Sequence, residues 1–183
     1  VRADARRNRE RILEHAASVL STSGPAASME EIAQAVGVGV GTLYRHFPDK
    51  PALLDAIGAR TLQAFGEVTA ALVADPTPDG DVVALLHRYV DRAAADATLR
   101  FALAAAPRGE ASLVHDAMRA HRSDLEELIA RDTSRGLLRP GIDVDAFRAL
   151  CAAVVLTMDA PLPDGSWRTV AAVVEDGLRA PQM

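Results

Sequence analysis

Between Val40 and Lys50 the chain sets hydroxyls, a guanidinium, an imidazole and an ammonium close together, at Thr42, Tyr44, Arg45, His46 and Lys50, with no carboxylate before Asp49. Such groups donate hydrogen bonds to anions and to polar base edges. The chemistry they suit is the binding of a groove lined with phosphates, where a guanidinium can reach two acceptors of one guanine. Catalysis is not suggested. His15, His46, His87, His115 and His121 show no metal-ligand spacing with a carboxylate partner, and Cys151 lies far from a recognisable base. The glycine-rich GVGVGT at 37–42 follows an amphipathic helix rather than a strand, has no Lys after its last glycine and lacks the G-x-G-x-x-G spacing, so it reads as a turn and not a phosphate loop. No catalytic residue, metal ligand or cofactor is expected.

To act together, those side chains must share one face of a short helix held at a fixed angle. Ser28 and Glu31 have the spacing of a capping box, in which each side chain satisfies a backbone N–H left unpaired by the first turn. A helix therefore starts at Met29, buries Ile32, Ala33 and Val36, and ends where Gly37 can take a positive φ. Gly37, Val38 and Gly39 make the turn. Val40 to Phe47 then form a second helix whose Leu43 and Phe47 pack inward beside Val38 and Ile32. Its free face carries Gly41, Thr42, Arg45 and His46, with Tyr44 beside them. Asp49 caps the next helix, and Pro51 falls in the first turn, where it has no hydrogen bond to lose. Two short helices joined by such a turn are the grammar of a helix-turn-helix, whose second helix enters a DNA major groove.

The run GVGVGTLYRHFPDKPALL resembles the DNA-binding signature of the TetR/AcrR-type transcriptional regulators, and the likeness covers roughly residues 6–56. It rests on Ile32-Ala33 before the turn, Gly41-Thr42-Leu43-Tyr44 in the second helix, Phe47 and Lys50. Gly39 departs from the pattern, standing where the family usually has a Ser or Thr cap; glycine is only slightly poorer there. The resemblance implies that Ser28, Tyr44, His46 and Lys50 contact phosphates and set register. Val40, Gly41, Thr42 and Arg45 face the groove, with Arg45 suited to a guanine and Thr42 or Val40 to a thymine methyl. For Arg45 a phosphate contact or an exposed charge is the alternative, and for Tyr44 core packing.

Charge is distributed accordingly. Residues 1–50 hold seven Lys or Arg against six Asp or Glu, net +1, and residues 51–183 hold thirteen against nineteen, net −6, within a chain of net −5. An acidic whole is compatible with DNA binding, because affinity depends on local phosphate contacts. Arg2, Arg6, Arg7, Arg9 and Arg11 precede and open the first helix, either as an arm for backbone or minor groove or as a solvated helix start. The sequence opens on Val1 rather than Met, and part of such an arm is expected ahead of it. Nothing resembles a signal peptide. The charge-free run Ala149 to Met158 is about half of the roughly 20 residues a membrane span needs. A soluble cytoplasmic protein without membrane contact is expected. Cys151, the single cysteine, reads as a small core residue, with redox sensing as the alternative. One lysine against nineteen arginines suggests a bacterial genome of high GC content.

The remainder reads as helices punctuated by Pro and Gly, giving an all-α chain with a helix-turn-helix domain over 1–50 and a helical ligand-binding and dimerisation domain over 51–183. Helices are expected from about Asp49 to Asp75 with a stripe of Leu53, Ile57, Thr61, Ala64 and Val68, from Asp79 or Asp81 to a break near Thr98, and from Phe101 to Ala106. A single helix is expected over Ser112 to Arg135, closed by Gly136, and two more from Asp143 to about Ala160 and from Ser166 to Arg179. Leu62, Phe65, Leu86, Tyr89, Phe101, Met118, His121 and Leu125 can line an apolar cavity, with His121 and Tyr89 as its polar points; a packed core is the alternative. The C-terminal half is loosely similar to the SbtR-like subgroup. By resemblance, the last two helices pair with those of a second copy through Phe147, Leu150, Val154, Met158, Trp167, Val170, Val174 and Leu178. Intrachain core is the alternative for these stripes. Small residues such as Ala149, Ala152 and Ala172 permit close approach.

The function so implied is a homodimeric bacterial regulator, by family default a repressor, that reads a palindromic operator and is released by a small-molecule inducer. A DNA-binding dimer without such a sensor, or an activator, is the other reading.

Overall fold

Helical periodicity is realised along almost the whole chain in the computed structural model, which describes residues 2–24, 26–100 and 112–181. Among the described residues the helices are α1 Arg2–Ser23, α2 Met29–Val36, α3 Val40–His46, α4 Lys50–Ala74, α5 Asp81–Ala95, α6 Leu113–Ala120, α7 Arg122–Ser134, α8 Val144–Met158 and α9 Ser166–Leu178. The β pairing found there is one antiparallel bridge, Leu138 with Arg179, which ties the end of α9 to the loop after α7. The all-α architecture read from the sequence is the architecture of the protein. The expected piece Phe101–Ala106 lies outside the described residues.

Packing divides the described residues into two units, Val1–Leu62 with Asp96–Ala117, and Gln63–Ala95 with Met118–Met183. The first is built on α1 to α3. Ile12, Leu13, Ala16 and Leu20 recur at helical spacing and form one buried cluster with Ile32, Leu43, Phe47, Leu53 and Ile57. The capping box of α2 is present: Glu31 N–H donates to Ser28 Oγ at 3.1 Å, and Ser28 N–H to Glu31 Oε2 at 2.7 Å. Gly37 closes α2 at φ 75°, a backbone angle that disfavours any side chain. Asp49 Oδ1 caps α4 by accepting from Ala52 N–H at 2.8 Å.

The later segment of this unit is fastened to it by buried polar groups. Thr98 donates its hydroxyl to the Ala17 carbonyl of α1 at 2.9 Å. The buried Asp55 carboxylate of α4 accepts from Ser112 Oγ at 2.7 Å, Leu113 N–H at 2.8 Å and Val114 N–H at 3.2 Å. A carboxylate supplied by α4 thus caps α6, satisfying N–H groups that a first turn leaves without partners.

The second unit is closed from α7. Arg131 donates to the Leu72 and Val73 carbonyls at the end of α4, at 2.6 and 2.9 Å, and to Asp81 Oδ2 at 2.8 Å. Asp132 Oδ2 accepts from Asp81 and Val82 N–H at 2.6 and 2.9 Å, capping α5. Burial pushes the Asp81 carboxyl up, but hydrogen bonds from Thr77 and Arg131 outweigh it and hold the pKa below the ordinary value.

Two expectations need correction. Ser112 to Arg135 is not one helix: it breaks at His121, whose backbone turns to φ −107° and ψ 15° between α6 and α7. At this break the His121 imidazole lies against the α4 backbone, where a Cβ on Gly66 would overlap the ring. The α4 stripe also fails at Ala64, which is exposed. Leu53 and Ile57 serve the first buried cluster while Leu72 serves the second, so a single stripe does not describe the helix.

Candidate nucleic-acid interface

Leu43 and Phe47 are 0% and 1% exposed, which anchors α3 by one side and presents the other. On that outer side Val40 is 41% exposed and Tyr44 42%; Gly41 and Arg45 are exposed as well, and Thr42 is half-buried. A Cβ on Gly41 would meet nothing within 4 Å, so the fold leaves open space there. Gly39 caps α3 through its carbonyl alone, which accepts from Thr42 N–H at 2.8 Å, with no side chain contributing.

The expected phosphate ligands surround this face, and several are held by neighbours. Ser28 has its hydroxyl in the capping box, donating to Glu31 Oε2 at 3.0 Å. The Lys50 ammonium donates to the Ala27 carbonyl, which places the charge beside the start of α2. His46 Nε2 lies 3.5 Å from the Asn8 amide nitrogen, and the Arg9 guanidinium sits 4.8 Å over the Phe47 ring, so α1 braces the end of α3. Tyr44 donates its hydroxyl to Glu30 Oε1 at 3.4 Å. Partial burial, with the Glu30 carboxylate as the lesser cause, pushes the Tyr44 phenol up. Backbone and hydroxyl hydrogen bonds from Ser28 hold the Glu31 carboxyl down.

Residues 12–57 match the family description "Bacterial regulatory proteins, tetR family", and residues 77–180 match "Transcriptional regulator SbtR-like, C-terminal domain". The chain belongs to the TetR family. A TetR transcription regulatory protein from Mycobacterium vanbaalenii is 33% identical with a TM-score of 0.60, the alignment covering 98% of this chain and 99% of that one. The TetR regulator SCO0520 from Streptomyces coelicolor is 30% identical with a TM-score of 0.63, covering 95% and 99%. An HTH-type transcriptional regulator of Staphylococcus aureus is 44% identical over 66 residues, which is 36% of this chain and 36% of that protein. The match to that curated relative thus spans about a third of its length. TetR-family proteins are DNA-binding transcription regulators, and among the described residues no helix is long and apolar enough to cross a membrane.

In this TetR-family chain the residues expected to receive a ligand are partly brought together. Phe65 and Tyr89 are neighbours, with ring centroids 5.1 Å apart. Leu86 and Leu125 are buried in the core of the second unit, Met118 is half-buried, and His121 covers Gly66. Leu62 falls in the first unit, and Phe101 lies outside the described residues. Burial, and then Cys151, raises the Tyr89 phenol; burial pushes the Cys151 thiol up to about 12, which keeps it from the thiolate form that oxidation requires.

The interface stripe needs correction in part. Phe147, Val154 and Leu178 are 3%, 0% and 0% exposed within this one chain, so they are core and not surface. Leu150, Met158, Trp167, Val170 and Val174 are half-buried against the same core. The outward faces of α8 and α9 carry Leu156 at 67% and Val173 at 66%, with Ala149, Ala152, Ala153 and Ala172 exposed around them. Apolar residues stand on both sides of α8, and the periodic stripe through Phe147, Leu150 and Val154 is the one that packs into the chain's own core.

Proposed function

We propose that this TetR-family regulator is a homodimeric repressor. Residues 1–50 read each half of a palindromic operator, and residues 51–183 carry the dimer contact and a site for a small-molecule inducer. The observation that carries the reading is the outer face of α3, where Val40, Gly41, Tyr44 and Arg45 stand exposed on a helix anchored by fully buried Leu43 and Phe47. Arg45 and Thr42 then serve as base-reading groups, while Ser28, Tyr44, His46 and Lys50 fix register on the phosphates. A dimer is supported by the exposed apolar residues Leu156 and Val173, and by the need for two recognition helices about 34–36 Å apart to read a palindrome. An inducer acts by favouring an arrangement that does not fit DNA, and a shift from 1:99 to 99:1 requires roughly 5.5 kcal/mol of differential affinity. Phe65, Tyr89 and His121 are the side chains best suited to orient it.

The test is selection from a randomised duplex library at two salt concentrations. A palindromic motif is expected, and Arg45→Ala should relax one of its positions at a cost of about 1–3 kcal/mol. Salt-sensitive binding without a motif would leave only a nonspecific DNA binder.

A further inference from the structure

The α2 edge of the DNA-reading face holds a carboxylate that the proposed function does not use. Glu30 is exposed in the first turn of α2, beside the capping pair. Glu31 is committed to the cap through the Ser28 N–H and hydroxyl, at 2.7 and 3.0 Å. Glu30 takes no part in that cap. Its Oε1 instead accepts the hydroxyl of Tyr44, which lies fourteen residues further along the chain, on α3.

The surroundings of that carboxylate are those a DNA phosphate would seek. The start of α2 offers the positive end of the helix dipole, the Tyr44 hydroxyl offers a donor, and the Lys50 ammonium is fixed on the Ala27 carbonyl close by in the chain. A carboxylate matches a phosphate in charge sign and in the acceptor oxygens it presents. We propose that Glu30 is a built-in phosphate mimic, which occupies Tyr44 in the free protein and must yield it to a DNA phosphate when the reading face docks. The inference rests on the reading of Tyr44 as a phosphate contact.

The consequence is a restraint on affinity that is blind to sequence. On docking, the Tyr44 hydroxyl exchanges one anionic acceptor for another, and the displaced Glu30 charge is left facing the polyanion. That repulsion is screened over a Debye length of about 8–10 Å, so it fades with salt, and it applies to every duplex. Glu30 therefore sets how tightly the protein holds DNA at all and leaves the choice of sequence to Arg45 and its neighbours.

The experiment is a double-mutant cycle on the full chain, with Glu30→Gln, Tyr44→Phe and the pair, titrated with a mixed-sequence duplex at low and high salt. Glu30→Gln should tighten binding roughly two- to fivefold at low salt, by loosening the hold on the Tyr44 hydroxyl and by relieving a like-charge contact of the size of surface and helix-end electrostatics. The gain should vanish at high salt and fall by at least half when Tyr44 is Phe. Unchanged or weaker binding by Glu30→Gln, or a gain of equal size in the Tyr44→Phe background, overturns the mimic. If Tyr44→Phe weakens binding while Glu30→Gln does not strengthen it, only the mimic fails. If Tyr44→Phe changes nothing in either background, the phosphate role of Tyr44 fails and takes the mimic with it. Thermal melting of each variant establishes that the fold is intact.

Discussion

At the scale of residues, Gly41 is where the proposed reading face can be tested against the demands of folding. It sits inside α3, where glycine costs about 1 kcal/mol relative to alanine, and a Cβ there would meet nothing. Gly41→Ala is therefore expected to raise the melting temperature while weakening operator binding, if the missing side chain exists for close approach to DNA. Melting and duplex titration of the same preparation check both halves. The outward set Val40, Tyr44 and Arg45 was legible in the sequence, because the period that sends Leu43 and Phe47 inward also fixes what points away. The engagement of Tyr44 by Glu30 and of Lys50 by Ala27 was not, since contacts between elements leave no mark on the periodicity of either.

At the scale of elements, helix ends with side-chain caps were legible to within a residue, as the capping box of α2 and the Asp143 cap of α8 show. The break at His121 carries neither Gly nor Pro, and the contact that accounts for it here, with Gly66, lies on another helix. A substitution cycle tests that cause. Gly66→Ala must displace the imidazole and should destabilise the protein by about 1–3 kcal/mol, as overpacking does. In a His121→Ala background the same change should be neutral or stabilising, because alanine favours a helix interior. Urea midpoints of the four proteins decide it; equal losses in both backgrounds would remove His121 from the explanation. The cap of α5 by Asp132 was equally hidden, being made across some fifty residues of chain.

At the scale of the whole molecule, stability should depend on acid through the cluster that joins α4, α5 and α7. The Asp81 carboxyl is held below its ordinary value of 3.8 in the folded chain, so its contribution is complete above that value and is lost as the pH falls through the lower, folded pKa. The stability gap between the native protein and Asp81→Asn should be wide at about pH 7 and shrink at about pH 3 in urea titrations. A gap independent of pH would mean that the charge is not what Asp81 contributes. Assembly is tested on the outer faces of α8 and α9: Leu156→Glu should yield a folded monomer by sedimentation and reduce operator affinity sharply, whereas Phe147→Ala should unfold the subunit. The buried clasp of Asp55 on Ser112, Leu113 and Val114, with Thr98 on Ala17, bears on how such regulators can be recombined. A reading head excised at residue 62 would carry that aspartate away from its three donors, so a chimera that swaps operator preference between relatives at that point has to bring residues 96–117 along or redesign the aspartate. Modular by sequence, the head is not modular by inheritance.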